Sequence, residues 1–279
     1  MDISKIKISY ADNSHIAELK EIWHECFGDS FDYINFFFEN RFESVKTVIA
    51  LYGGKTVGAA YLMPVEAYEY GVLKNGWYGY AIGILKDFRK NGIYKMMHKK
   101  IMKDIAEKNE FYILCPANEK LCEFYSSIGF KDFSYLSTIE LKKCKTDFKV
   151  LEREITTKRY AKLRNKYFKN DGMIFWNEEA IEYAIKENTF CGGFTKEIII
   201  NEKSFSIMAR PFEDTIKIIE STVPNECLSD VTAYLCEKYN VQSVLWTRAS
   251  YEENEKNFLS GMAINLKKGD YPYLNLLLN

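Results

Sequence analysis

What most constrains this chain is the order in which its hydrophobic period changes along the first 141 residues. Residues 6–10 read as a short strand, and Asp12 or Ser14 caps a following helix that carries Ile16, Leu19, Ile22, Trp23 and Phe27 at the 3.6 period. After Gly28-Asp29-Ser30 a second, aromatic-rich helix runs over residues 32–41. Residues 45–52 and 56–67 are strand-like and joined through Gly53-Gly54, a hairpin signal. A loop at 71–76 leads into a strand at 77–85, and residues 90–108 place Ile93, Met97, Ile101 and Ile105 on one helical face. A strand at 111–116, a helix at 118–128 and a strand at 130–141 complete the series. The order β-α-α-β-β-β-α-β-α-β, a meander followed by βα units, predicts a mixed α/β sheet flanked by helices.

The remaining residues, to 279, are more than one such sheet needs, so a second domain is expected, with the division at 1–142 and 143–279. Residues 142–169 change character, with 11 Lys or Arg against 3 acidic residues, which reads as a solvated helix face or a grip for an acidic partner. Helices are expected at 151–168 and 176–186, strands at 194–200, 204–210 and 215–221, a helix at 226–239, and strands at 241–247 and 273–278. This order repeats that of the first half without residue identity, as a duplicated fold would.

Composition narrows the class. Lys plus Arg is 38 against 39 for Asp plus Glu, a balance that argues against a general nucleic-acid binder. Five prolines against 20 Tyr and 19 Phe point to a continuous, aromatic-rich core. The seven cysteines form no CxxC pair and read as reduced thiols of a cytoplasmic protein. The opening MDISKIKISYADN has no apolar signal region and no apolar run approaches a membrane span, so neither secretion nor a membrane partner is expected. His15, His24 and His98 form no HExxH, and no metal site is expected.

One stretch carries chemistry. Tyr80 to Ile84 is a buried strand, Arg89-Lys90-Asn91-Gly92 a turn, and Ile93-Tyr94 the immediate start of a helix. A helix N-terminus presents free N–H groups and partial positive charge, so a phosphate can sit there, with Gly92 permitting close approach and Arg89 and Lys90 adding charge. An ordinary βα turn with solvated cations is the other reading. The next strand is followed by Asn118-Glu119-Lys120-Leu121-Cys122-Glu123-Phe124-Tyr125 and Ile128-Gly129-Phe130.

Together these two stretches resemble the GNAT superfamily of acyl-CoA N-acyltransferases, over roughly residues 4–141. The family's pyrophosphate turn is R/Q-x-x-G-x-G/A, and Arg89 and Gly92 match it while Tyr94 replaces the final small residue. The later helix reads N-x-x-A-x-x-F-Y-x-x-x-G-F in the family, matched by Asn118, Phe124, Tyr125, Gly129 and Phe130, with Leu121 in place of Ala.

The resemblance implies a mostly antiparallel sheet whose strand before the turn splays from the next. The pantetheine arm of acetyl-CoA then lies beside Ile82-Gly83-Ile84 as a pseudo-strand, with Gly83 suited to a bulge there. The diphosphate is implied over Lys90, Asn91, Gly92, Ile93 and Tyr94, with Asn118 positioning the cofactor or starting its helix. Tyr125 is implied as general acid, since a phenol of pKa about 10 stays protonated beside a thiolate whose parent thiol is near 8.5. For the base, Glu66, Glu69, Tyr78 and Tyr80 lie on elements that face the acceptor in similar folds. In tandem GNAT-type proteins of the enhanced-intracellular-survival class the terminal carboxylate can enter the site, which nominates Asn279. Phe31, Tyr33, Phe36, Phe37 and Phe38 could wall the acceptor pocket, with Asp29 or Asp32 drawing a cationic amine, or pack the core.

The resulting expectation is an acetyl-CoA-dependent N-acetyltransferase acting on a primary amine of a small molecule or peptide. Its second half is expected to be a degenerate GNAT-like domain without a cofactor turn, one use of which is homodimerisation. Two rivals are a non-catalytic acyl-CoA-binding or interaction module, which Tyr94 at the small-residue place favours, and aminoacyl transfer from tRNA, which would want a basic groove.

Overall fold

In the computed structural model, residues 2–43, 46–145, 149–168, 172–251 and 257–276 are described. The chain divides into two compact units, Met1–Glu66 with Leu73–Asp132 and Gly261–Leu266, and Ala67–Val72 with Phe133–Ser260 and Lys267–Asn279.

The first unit contains β1 (Ile6–Tyr10), α1 (Ile16–Phe27), α2 (Phe31–Asn40), β2 (Thr47–Tyr52), most of β3 (Lys55–Glu69) and β4 (Val72–Ile84), then α3 (Ile93–Lys108), β5 (Phe111–Leu114) and α4 (Glu119–Ser127). Its strands are ordered β1-β2-β3-β4-β5. The pairs β1/β2 and β2/β3 are antiparallel, whereas β4 and β5 run parallel with α3 as their crossover. Local chemistry sets the boundaries. Asp12 caps a short 3-10 turn ahead of α1, Gly28 ends α1 in the left-handed conformation, and the Ser30 hydroxyl accepts from the Tyr33 N–H to open α2. Gly53 and Gly54, at φ +59° and +87°, make the tight turn between β2 and β3.

The second unit takes most of β6 (Lys131–Lys142), then β7 (Val150–Glu154), α5 (Thr157–Tyr167), β8 (Ile174–Trp176), α6 (Glu178–Phe190), β9 (Phe194–Ile200), β10 (Lys203–Phe212), β11 (Thr215–Ser221), α7 (Leu228–Tyr239) and β12 (Ser243–Ser250). Its strands are ordered β6-β12-β11-β10-β9-β7. Here three antiparallel pairings lead to a parallel pair, β11/β12, bridged by a helix, α7. Ile198, Ile207, Ile218, Val231, Leu235 and Trp246 are at the centre of its core. Each unit is therefore a mostly antiparallel sheet flanked by helices, the mixed α/β class expected.

Three expectations fail, one of them the loop at 71–76, where β4 already runs from Val72. Residues 151–168 are not one helix: β7 comes first, and α5 starts only where the Thr156 hydroxyl accepts from the Arg159 N–H. In so short a mixture of charged and apolar residues, periods of 2 and 3.6 cannot be told apart. Of the strand expected at 273–278, the described residues 273–276 form none. Tyr273, Leu274 and Leu276 are buried, Tyr273 makes one bridge to Met173, and Leu278 lies outside the described residues. The last strand is instead β13 (Asn257–Ile264), whose Met262, Ala263 and Ile264 pair antiparallel with Leu114, Ile113 and Tyr112 of β5.

Candidate active site

The site grows from how β4 leaves β5. Their parallel pairing runs from Gly76 opposite Phe111 to Gly79 opposite Leu114, and β5 then ends while β4 continues to Ile84. Both glycines are required by close approach. A Cβ on Gly76 would lie 2.4 Å from the Phe111 ring, and one on Gly79 would lie 2.5 Å from the Tyr112 hydroxyl. Beyond Gly79 the strand keeps its other neighbour, since the Leu85 N–H donates to the Val57 carbonyl of β3. Residues 81–84 thus have one bonded edge, and among the described residues no strand pairs along the other, where an extended ligand can add as a strand.

The residue that bends this stretch is Ala81, at φ +42°. Gly83, expected to form the bulge, permits a close approach. A Cβ there would meet Cys26 Sγ at 2.9 Å and the Phe27 ring at 3.4 Å, so Gly83 lets α1 close against β4. Left-handed backbone at alanine is costly and persists only where the surroundings enforce it. Ile82 and Ile84 are half-buried beside it.

The turn after β4 is braced from within. Arg89 Nε donates to the Ile84 carbonyl at 2.8 Å, and its guanidinium lies 3.6 Å from Cys26 Sγ. Asn91 Nδ2 donates to the carbonyls of Phe88 and Arg89. Arg89 therefore ties the turn to β4 and α1, and both Arg89 and Lys90 are exposed. Lys90 and Gly92 take φ of +64° and +75°, and no side chain caps α3. The first intrahelical bond runs from the Met96 N–H to the Gly92 carbonyl, which leaves the N–H groups of Ile93, Tyr94 and Lys95 without intrahelical acceptors. A Cβ on Gly92 would meet nothing within 4 Å, so open space lies in front of these donors. The Ile93 and Tyr94 side chains are buried, so the bulk of Tyr94 is directed away from that space.

Asn118 is exposed and caps α4, its Oδ1 accepting from the Leu121 N–H at 3.1 Å. One helical turn on, Tyr125 is buried among Tyr94, Phe124 and Phe130, with ring centroids at 5.9, 5.6 and 5.4 Å. Its hydroxyl makes no hydrogen bond among the described residues. Burial, and then the neighbouring Cys115 thiol, push its pKa up to about 12. Burial likewise pushes the Cys115 thiol up to about 11. Cys115 is the first residue past β5, and Tyr78 of β4 has its own pKa raised by burial and, among its neighbours, by the Cys115 thiol and the Tyr125 phenol.

The expected bases fare differently. Glu66 is exposed, and Glu69 accepts the Lys267 N–H at 2.8 Å. Tyr78 and Tyr80 are buried, with the Tyr80 hydroxyl 3.3 Å from that of Tyr33. Asn279 lies outside the described residues. Of the aromatic segment, Tyr33 and Phe37 are core, Phe36 and Phe38 are half-buried, and Phe31 is exposed. Trp23 centres this cluster, 4.6 Å from Phe37, 5.2 Å from Tyr61 and 5.5 Å from Tyr80. Asp29 accepts from the Trp23 indole at 2.7 Å, while Asp32 is exposed. Cys26, Ala81 and Cys115 were not foreseen. No motif marks them, because their importance comes from contacts distant in sequence.

This geometry has relatives. Residues 7–132 match the acetyltransferase (GNAT) domain family. The open strand edge, the uncapped helix and Tyr125 all fall within that span. No curated protein sequence matches the chain. Among solved structures, a conserved Enterococcus faecalis V583 protein of unknown function superposes with a TM-score of 0.73 at 12% identity, covering 92% of this chain and 72% of that one. A GCN5-related N-acetyltransferase from Anabaena variabilis gives 0.71 at 14% identity with the same coverages. Eis1 from Mycobacterium abscessus gives 0.67 at 10% identity over 95% of this chain and 74% of its own. At such identities the likeness is one of fold, and it extends through both units. No helix among the described residues is long and apolar enough to cross a membrane, and no group of three or more His, Cys, Asp or Glu stands ready for a metal.

Proposed function

We propose that this protein transfers an acetyl group from acetyl-CoA to a primary amine of a small molecule or peptide. The observation that carries this reading is the convergence, at one end of β4 and β5, of an open strand edge, an uncapped helix N-terminus and a protonated phenol. Acetyl-CoA has the matching parts in the matching order: an amide-bearing arm that can pair with a strand, and a diphosphate that free N–H groups can hold. The residues fit it. Gly92 leaves the approach clear, Tyr94 is turned inward, and Lys90 and Lys95 are exposed at the turn.

In the proposed reaction the amine nitrogen bonds to the thioester carbonyl carbon and the carbon–sulfur bond breaks. Tyr125 gives its hydroxyl proton to the departing thiolate, and the proton that the nitrogen sheds on forming the amide passes through solvent and restores the phenol. With a pKa near 12 it is fully protonated at neutral pH, so the proton is in place when the thiolate forms, and burial makes its transfer to a thiolate of ordinary pKa uphill. Backbone N–H groups of residues 82–84 on the open edge are suited to polarise the carbonyl oxygen. Arg89, Asn91 and Asn118 act in support, holding the turn and the start of α4 in place.

The second unit is read as a repeat of the same architecture without a cofactor turn. Its strand order and parallel pair support the repeat. Between Ser221 and Leu228 it carries no Lys or Arg, and Glu226 sets a carboxylate where a diphosphate would need cations. Seven unpaired thiols support a reducing, cytoplasmic setting. The test is release of free thiol from acetyl-CoA across a panel of primary amines, with the Tyr125→Phe variant alongside. Amine-dependent release that collapses in the variant supports the reading, and release equal to the no-enzyme rate with every amine refutes it.

A further inference from the structure

Tyr94 stands where the matching turn calls for glycine or alanine, and its ring has to go somewhere. It enters the core and is boxed in by aromatic faces. Its centroid lies 5.9 Å from Tyr125 in a T-shaped contact at 82°, 5.8 Å from Phe124 and 6.0 Å from His98. His98 in turn stacks 6.3 Å from Tyr112, and both His98 and Tyr125 pack on Phe130 at 5.5 and 5.4 Å. Tyr112 is fully buried, with its hydroxyl pressed against Gly79 at the point where β4 leaves β5. Tyr125 itself has no hydrogen bond among the described residues to hold its hydroxyl in place. Only ring packing orients it, and Tyr94 supplies one face of that packing.

The backbone of the same residue belongs to the first turn of α3, where its N–H has no intrahelical acceptor. We propose that Tyr94 is a positioning residue that couples the phosphate turn to Tyr125, its N–H reporting what occupies the turn and its ring transmitting that to the phenol. A small residue at this place would hold the phosphate equally well and leave Tyr125 one packing face short. The coupling is short: three bonds, N–Cα, Cα–Cβ and Cβ–Cγ, join the free N–H to a ring that close packing keeps from yielding. It rests on the acetyl-CoA reading above, because it requires an anion at the turn.

The experiment uses the full chain labelled with 13C at the tyrosine Cζ, and inorganic pyrophosphate as a probe too short to reach Tyr125. The Tyr125 resonance is the one that disappears in Tyr125→Phe. In the unmodified protein and in Tyr94→Phe, pyrophosphate should shift both the Gly92 amide and the Tyr125 Cζ. In Tyr94→Ala the amide should still shift while the Tyr125 signal stays still. Tyr94→Leu, which refills the core without an aromatic ring, should behave as Tyr94→Ala does and guards against loss of fold.

In turnover, Tyr94→Ala should lower kcat by about tenfold with the acetyl-CoA KM changed by less than about twofold. The Tyr94→Ala/Tyr125→Phe double variant should be no slower than Tyr125→Phe alone. A Tyr125 signal that moves equally in Tyr94→Ala and Tyr94→Leu, or that ignores pyrophosphate while the Gly92 amide responds, would overturn the coupling alone. If neither pyrophosphate nor coenzyme A moves the Gly92 amide, the cofactor reading fails and the coupling falls with it.

Discussion

Substitution of Gly92 by alanine and by aspartate separates backbone strain from ligand binding. Gly92 has φ +75° and is the N-cap of α3, and a Cβ there would meet no atom within 4 Å. Alanine should therefore cost only its left-handed backbone, about 1–2 kcal/mol. At about 2–4 °C per kcal/mol for domains of this size, the melting temperature should fall by roughly 2–8 °C. Aspartate tolerates the left-handed region better and is a favoured N-cap, so Gly92→Asp should be the more stable of the two. Binding should rank them the other way. A carboxylate about 4 Å from a phosphate charge costs about 1 kcal/mol in bulk water and about 4 kcal/mol at an effective dielectric of 20. Isothermal titration should accordingly show acetyl-CoA binding roughly 5-fold to 1,000-fold more weakly to Gly92→Asp than to Gly92→Ala, with the gap narrowing as salt is raised. If Gly92→Asp binds acetyl-CoA as tightly as the unmodified protein, the diphosphate does not lie at this turn.

Other outcomes follow from the same structure. Tyr125→Phe should lower kcat by about 100- to 10,000-fold at saturating acetyl-CoA while acetyl-CoA affinity holds, and an unchanged kcat would dismiss its acid role. With the Tyr125 pKa near 12, ionisation of this group should cause no fall in kcat between about pH 7 and pH 10, and a fall centred in that interval would contradict its role. In the second unit Glu220 is buried, accepting from Tyr160, Arg164 and Tyr273 at 2.8, 3.0 and 3.1 Å. Glu220→Gln strands the Arg164 guanidinium and should cost about 3–5 kcal/mol, or roughly 6–20 °C of melting temperature. The Glu220→Gln/Arg164→Met double variant should recover much of that loss, and a single variant as stable as the parent would contradict this account. Burial holds the His98 imidazole below its ordinary pKa. The unfolded chain then binds the extra proton first, so this contribution is complete above about pH 6.5 and is lost as pH falls toward the folded value. His98→Phe should therefore show a smaller drop in melting temperature between pH 7.5 and pH 5.5 than the parent, and an equal drop would refute the assignment.

The residues that announce the site in the sequence are those whose function is local. Asn118 caps a helix three residues from its partner, and Gly92 sits at a helix start, so spacing alone marks them. The elements of the first 141 residues were legible for the same reason, because caps, glycine turns and apolar periods are written within each segment. What spacing hides is contact across the fold. Ala81 takes its left-handed backbone from the strand on which it lies, and Gly83 is glycine because Cys26 lies 57 residues away and 2.9 Å from where a Cβ would be. Arg89 reads as a phosphate ligand by charge, and what spacing does not show is that its exposed side chain also bonds the Ile84 carbonyl and Cys26. β7 and β13 were missed because five or eight residues of mixed polarity carry no decisive period, and β13 is specified by its pairing with β5.

The most direct test of the central claim is titration calorimetry of the full chain with acetyl-CoA. One site per chain is predicted, weakened by Gly92→Asp and unaffected by Tyr125→Phe, since the first unit has the turn and the second has Glu226 in its place. No binding, or two equivalent sites per chain, would contradict it.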